Sequence, residues 1–406
     1  MQDNNVILTQ KEKRMNATID NGKLVVCLEG KIGTDNVSIW ETGIRELIRQ
    51  HPEEDPVFDA EKLTYISSAG LRLLLSLQKE RDRKLSVVNV DPDVYEIFEM
   101  TGFTLFMDIQ KKRREISVEG CEVIGRGAFG TVYRIDRETI VKVYDSSDSI
   151  PLIETERQRA RQAIIKGVPT AISYDIVKVG DSYGSVFELI QAENLNDIIV
   201  REPEQLDKLM QKYIQLMKTV HSIEALPGEF PAASDIFDQY LDDLNDVLPE
   251  DVTGSVRKLL HQMPEDRHLV HGDFQMKNVM MNKEEPILID METLCTGNPV
   301  FDLQSLYFAD RAVNEDEPGN HLRFMGLTEE LSRQIWEKIL SCYFSGYDRE
   351  QIRAAEDKIR VLAYLRFLDR VVTHGMTRPD LKEIRVKHTI EQLRELLARV
   401  DSLVIC

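Results

Sequence analysis

Cysteine is scarce in this 406-residue chain: the five present, Cys27, Cys121, Cys295, Cys342 and Cys406, are scattered and never spaced as C-x-x-C. That pattern excludes a disulfide-stapled scaffold and a cysteine zinc site, and it fits reduced thiols. Long apolar runs are missing too. No stretch approaches the roughly 20 residues needed to span a bilayer, and the opening MQDNNVILTQKEKRMN has no signal-peptide core, so the expectation is a cytoplasmic protein without a membrane partner. Positive charge is also short: 51 Lys and Arg face 70 Asp and Glu, a net charge of −19. Residues 1–112 account for 15 basic and 19 acidic side chains, so most of the deficit, −15, lies beyond them. Such acidity argues against nucleic-acid binding and permits a cationic substrate without requiring one.

What is present falls into two parts of different character, as the length suggests. After an extension over 1–14, residues 15–110 alternate short apolar runs with helical patterns. KLVVCLEG reads as a strand, VSIWETGIRELIRQ as a helix, DPVFDAEKLTYIS as a strand and AGLRLLLSLQKERDRK as an amphipathic helix. LSVVNV follows as a strand, DPDVYEIFEMTG as a capped helix ended by Gly102, and FTLFMDI as a last strand. Strands alternating with helices imply an α/β unit with a mixed sheet. The basic run KKRRE opens a linker over 111–118. The rest divides into a β-rich lobe, 119–190, and a helical lobe, 191–406, an α+β arrangement.

In GRGAFGTVY, Gly125, Gly127 and Gly130 precede Val132. A dinucleotide loop with this spelling opens a helix, whereas TVYRIDRETIVKVY alternates as two strands joined by a turn. The glycines therefore belong to a hairpin whose backbone can approach the phosphates of a nucleotide. Lys142, in the strand IVKVY, needs a negative partner if it faces inward; Glu156 is the candidate, with Glu154 the alternative. Phosphoryl transfer asks a protein for a carboxylate that orients the attacking hydroxyl and for oxygen ligands to magnesium. HGDFQMKNV and PILID hold such a set: Asp273 for the hydroxyl, Asn278 and Asp290 for the ion.

With these residues together, 119 to about 400 resembles a kinase-fold phosphotransferase. GRGAFGTVYR and IVKVY would suit a protein kinase, while HGDFQMKNV with LIDMET resembles the aminoglycoside and choline kinase branch. The resemblance implies ATP and Mg2+ as cofactors and a hydroxyl acceptor. It makes His271 and Asp302 braces of the catalytic loop, and it lets backbone groups of Glu188 and Ile190, in the hinge VFELI, meet the adenine edge. The acidic stretch SDIFDQYLDDLNDVLPED (234–251) and the helices after 328 fall where this branch builds its acceptor pocket. Asp238, Asp242 and Asp246 at i, i+4 spacing would share one helix face, which reads either as a cationic-ligand site or as a solvated acidic face.

In the first part, DAEKLTYISSAGLRLLL places Ser67 and Ser68 where a strand runs into a helix, so a phosphate there would meet free N–H groups; ordinary N-capping is the alternative. Residues 15–110 resemble STAS domains of the anti-sigma-factor-antagonist type. The resemblance implies an anti-sigma factor or other STAS partner and a phosphorylated serine. The position directly before Gly70, which often carries that serine, is Ala69 here, and Ser68 or Ser67 would take its place. Three functions follow: a small-molecule kinase with a STAS module, a protein serine kinase acting on a STAS serine, or a nucleotide-sensing switch.

Overall fold

The computed structural model describes residues 5–7, 16–20, 22–127, 130–146 and 149–405. They form two compact units, Met1–Ile116 and Ser117–Cys406.

Unit 1 is built on a six-stranded sheet in the order β1–β2–β3–β4–β5–β6. β1 (Asn5–Ile7), β2 (Asn16–Asp20) and β3 (Lys23–Ile32) pair antiparallel; β4 (Asp55–Ile66), β5 (Ser86–Val90) and β6 (Asp108–Lys111) continue it in parallel. Parallel strands must be crossed by helices, supplied by α1 (Val37–Gln50), α2 (Ser68–Lys79) and α3 (Pro92–Met100). In α2 the leucine spacing buries Leu71, Leu74 and Leu77 with Leu73 beside them, each contributing about 1.5–3 kcal/mol by burial. The run FTLFMDI is only partly a strand. Gly102 turns at φ 76°, Phe103–Leu105 form a single 3-10 turn that buries Phe103, and pairing begins at Asp108. Lys111, read as linker, closes β6.

Unit 2 opens with an antiparallel sheet in the order β10–β11–β9–β8–β7. It comprises β7 (Glu122–Arg126), β8 (Gly130–Arg134), β9 (Thr139–Tyr144), β10 (Ser173–Val179) and β11 (Ser182–Glu188), with α4 (Ile150–Ile165) between β9 and β10. The remainder is helical: α5 (Leu195–Arg201), α6 (Leu206–His221), α7 (Ala233–Asp243), α8 (Glu250–His261), α9 (Val300–Tyr307), α10 (Val313–Glu315), α11 (Asn320–Phe324), α12 (Glu329–Tyr343), α13 (Arg349–Val372) and α14 (Lys382–Leu397). Five short strands sit among these helices: β12 (Glu193–Asn194) with β14 (Val279–Asn282) and β15 (Glu285–Leu288), and β13 (Leu269–Val270) with β16 (Cys295–Thr296). One core runs from Ala160 to Ile405, and the C-terminal half of α13 is buried on nearly every side. A helix buried all round can carry polar side chains to an interior site.

Candidate active site

The glycine-rich segment is a hairpin: β7 and β8 pair antiparallel, with Gly125 opposite Val132. Gly127 N–H donates to the Gly130 carbonyl at 2.9 Å and closes the loop; its tip, Ala128 and Phe129, lies outside the described residues. A Cβ on Gly130 would stand 2.1 Å from the Val143 carbonyl oxygen, so only glycine lets β8 lie against β9 there.

β9 carries Lys142 inward. Its Nζ lies 3.3 Å from both carboxylate oxygens of Glu156 on α4, 2.9 Å from Asp290 Oδ1 and 3.4 Å from Glu292 Oε2. Glu154 is not in this cluster. Burial alone would push the Lys142 ammonium down, but the charges of Glu156, Asp290 and Glu292 raise it well above its ordinary value. Tyr144 also hydrogen-bonds Glu156. The Glu292 carboxyl is pushed up to about 7 by burial and by the Asp290 charge, against the pull of Lys142. Asp290 itself sits in the left-handed region at φ 67°, a conformation that costs a non-glycine residue energy and is kept where the surroundings impose it.

The loop HGDFQMKN is gripped from below. Asp302, fully buried on α9, accepts from His271 N–H at 2.9 Å, Gly272 N–H at 2.6 Å and His221 Nε2 at 2.9 Å. His271 Nε2 faces the Ile289 carbonyl at 3.1 Å and its Nδ1 accepts from Asp273 N–H at 3.3 Å. That pairing sets a neutral tautomer protonated at Nε2, with neither nitrogen left for a substrate. Gly272 has φ 79°, and a Cβ there would meet the Thr293 carbonyl oxygen at 2.7 Å.

Asp273 is thereby held out of the loop. Its Oδ1 accepts from Arg366 Nη2 at 2.8 Å and from Gln275 Nε2 at 2.7 Å; its Oδ2 lies 3.3 Å from Asn278 Nδ2. Burial would push this carboxyl up, but Arg366 outweighs it and Gln275 adds to the effect, leaving Asp273 below the ordinary carboxylate range. Asn278 also donates to the Asp273 carbonyl at 2.9 Å, which turns its amide nitrogen toward the loop and leaves its oxygen as the free end. Asn278, Asp290 and Glu292 are oxygen donors of the kind magnesium prefers, and carboxylate oxygens of Glu156, Asp290 and Glu292 lie within 4.8 Å of one another.

Not every sequence reading converges here. In the hinge, Glu188 spends its N–H on the Ile172 carbonyl at 3.0 Å, so only its own carbonyl could meet a base edge; Ile190 follows just after β11. The acidic triplet does not form a ligand face. α7 ends at Asp243, and the chain turns before Pro249 opens α8, which takes Asp246 off the helix. Asp238 and Asp242 are spent on Arg257. Three site residues escaped sequence reasoning: Glu292, His221 and Arg366. Glu292 stands two residues past Asp290 and was open to inspection; the other two arrive from distant helices.

In unit 1, Ser67 is the N-cap of α2, its oxygen accepting from Gly70 N–H at 3.4 Å. Ser68, at the first helical position, is exposed, while Ala69 is buried.

The phosphotransferase enzyme family matches residues 120–323, and the STAS domain family matches residues 14–116. A Bordetella bronchiseptica protein named as an anti-sigma factor antagonist, BtrV, is 32% identical over 104 residues, 24% of this chain and 89% of its own. Among solved structures, ADP-bound aminoglycoside phosphotransferase APH(2'')-Ib is 16% identical with a TM-score of 0.47, covering 74% of this chain and 98% of its own. An apo thermostable mutant of APH(4)-Ia is 14% identical with a TM-score of 0.45, covering 69% of this chain and 97% of its own. The chain belongs to the phosphotransferase enzyme family and carries a STAS domain ahead of the part that makes it a member.

Proposed function

We propose that unit 2 transfers the γ-phosphate of ATP to a hydroxyl of a small molecule, and that the STAS domain is its regulatory or partner-binding module. The reading rests on one observation above all: Lys142, from the glycine-rich sheet, meets Glu156 and Asp290 from two separate segments within 3.3 Å. In this reading Lys142, fixed by Glu156, holds the nucleotide phosphates, beneath a hairpin formed by Gly125, Gly127, Gly130 and Val132. The Glu188 carbonyl and Ile190 meet the base. Asn278 and Asp290 would hold magnesium, with Glu292 beside them, and the ion would supply positive charge against the charge of the phosphates.

The acceptor oxygen bonds to the γ-phosphorus as the bond to the β-phosphate oxygen breaks, ADP leaves, and the hydroxyl proton passes to Asp273. A carboxylate held below its ordinary pKa is a weak base, so Asp273 acts mainly by orienting the hydroxyl and takes the proton late. His271 and Asp302 position the loop that carries it.

A second reading, protein serine phosphorylation, draws on the exposure of Ser68 at the start of α2. A phosphate there would meet the free N–H groups of a 12-residue helix, and an anti-sigma factor is the partner chemistry this would address. Intact-mass measurement and peptide mapping after incubation with Mg-ATP separate the two. The first reading expects no added phosphate on wild type or Asp273→Asn; phosphate on the Ser67–Ser68 peptide of wild type alone transfers the conclusion to the second.

A further inference from the structure

A cavity of about 540 Å³ opens in unit 2 with Gln275, two residues past Asp273, in its wall, within the size range of about 300–1,000 Å³ usual for small-molecule sites. Two side chains tie it to the reaction centre. Gln275 lines it while donating to Asp273 Oδ1 at 2.7 Å, and Phe308 lines it under the Arg366 guanidinium, 5.2 Å from the ring centre. Among the described residues no acidic cluster faces this space. Its ionised wall is Arg323, Arg378 and Arg385 around the single carboxylate of Glu317.

Arg385 Nη2 donates to Glu317 Oε2 at 2.7 Å, Arg323 donates to Oε1, and Arg378 Nη1 stands 3.9 Å from Oε1. Glu317 is held below the ordinary carboxylate range, chiefly by its hydrogen bond from Arg323. Counting Asp380, which pairs with Arg378, two carboxylates stand among three guanidiniums and leave a surplus of one positive charge. Asp380 accepts from Arg378 Nη2 at 2.7 Å and from Nε at 3.1 Å. Arg385 is 3% exposed and its Nε has no hydrogen-bond partner among the described residues, so the cluster is a buried charged fixture as well as a surface feature. The remaining wall mixes polar side chains, Asn320, His321 and Thr377, with apolar ones, of which Phe324 and Met376 flank the cavity with 64% and 49% of their surface open.

From this we infer that the phosphate acceptor is an anion: a molecule with an apolar body, a hydroxyl directed at Asp273, and a carboxylate or phosphate group received by Arg323, Arg378 and Arg385. Guanidinium forks match both groups in shape. A cationic acceptor would enter against the surplus charge of the wall, in a chain whose acidic residues at 238 and 242 are already paired elsewhere. The inference rests on the small-molecule reading of the site and gives it a substrate class.

The test uses the full chain and three probes that share one benzene ring and one primary hydroxyl: para-hydroxymethylbenzoate, para-hydroxymethylphenyl phosphate and para-hydroxymethylbenzylamine. Binding is measured by calorimetry without nucleotide, so it does not depend on turnover. At least one anion should bind about tenfold more tightly than the amine, and the better of the two identifies the group. In Arg323→Gln/Arg378→Gln that preference should fall by about tenfold, since a hydrogen bond to a charged group contributes on that scale. Both arginines are about half exposed, at 51% and 56%, so the variant leaves no buried gap. Equal or tighter amine binding, no measurable anion binding, or an anion preference untouched by the double substitution overturns the inference. Mg-ATP titration of the same preparation is the separate control: failure to bind nucleotide would sink the kinase reading while leaving the anion preference standing.

Discussion

Replacing Arg366 by Met should expose how Asp273 is kept ionised. Arg366 donates to Asp273 Oδ1 at 2.8 Å and to the Gly272 carbonyl at 2.7 Å, with only 7% of its side chain exposed against 19% for Asp273. Removing one partner of a fully buried pair costs about 3–5 kcal/mol, because the other charge is left uncompensated. The residual exposure of Asp273 reduces the expected loss to about 2–4 kcal/mol. Adding Asp273→Asn removes the stranded charge, so the double variant should lose only about 1–2 kcal/mol, chiefly the Gly272 hydrogen bond. The two substitutions would then be coupled by at least about 1 kcal/mol. Urea unfolding followed by tryptophan fluorescence measures this cleanly: the chain has two tryptophans, and Trp40→Phe leaves Trp336, buried in unit 2, as reporter.

The pH dependence has a defined sign. In wild type the depressed carboxyl stabilises the fold above the unfolded-state pKa and loses that contribution as pH falls toward the folded value. In Arg366→Met the carboxyl rises instead, so the penalty should grow from about pH 4 toward neutral. Additive losses, or a penalty flat across that range, would refute the assignment of Arg366 as the counter-charge of Asp273.

Asp310, buried in the π-helical segment after α9, has its carboxyl pushed up to about 7 by burial, with Arg311 pulling the other way. A raised acid costs stability progressively between its unfolded value near 4 and its folded value near 7, at most about 4 kcal/mol. Asp310→Asn should therefore match wild type at pH 4 and melt higher at pH 7 and above, a comparison that differential scanning calorimetry makes directly. Gly272→Ala combines a left-handed backbone with a Cβ 2.7 Å from the Thr293 carbonyl; strain of this kind costs about 1–3 kcal/mol. A lowered melting temperature together with reduced phosphate transfer is expected, and unchanged transfer would free the loop of that constraint.

The candidate site was readable in the sequence wherever its residues lie close together in the chain. Asp273, Asn278 and Asp290 lie within eighteen consecutive residues, and Lys142 declared itself as a cation in an apolar strand that required an anion. Arg366 carried no such signal: it is one of several arginines in α13, and only packing shows that the helix passes through the core. The acidic helix misled for a related reason. Its i, i+4 spacing continues past the point where the chain turns toward Pro249, and spacing cannot register that Arg257 returns to claim two of its carboxylates. FTLFMDI failed as a strand because burying Phe103 after the left-handed Gly102 favoured a turn over pairing. The cavity and its arginines come from stretches of chain spread between Gln275 and Arg385 and exist only as a tertiary feature.

The central claim is phosphoryl transfer through Asp273 to something other than the protein itself. The most direct measurement incubates wild type and Asp273→Asn with γ-labelled ATP, Mg2+ and a small-molecule extract, and follows the label after filtration. The account predicts labelled low-molecular-weight product, beyond inorganic phosphate, from wild type only, with both proteins binding Mg-ATP comparably. Label retained on the wild-type protein, or equal product from Asp273→Asn, would contradict it.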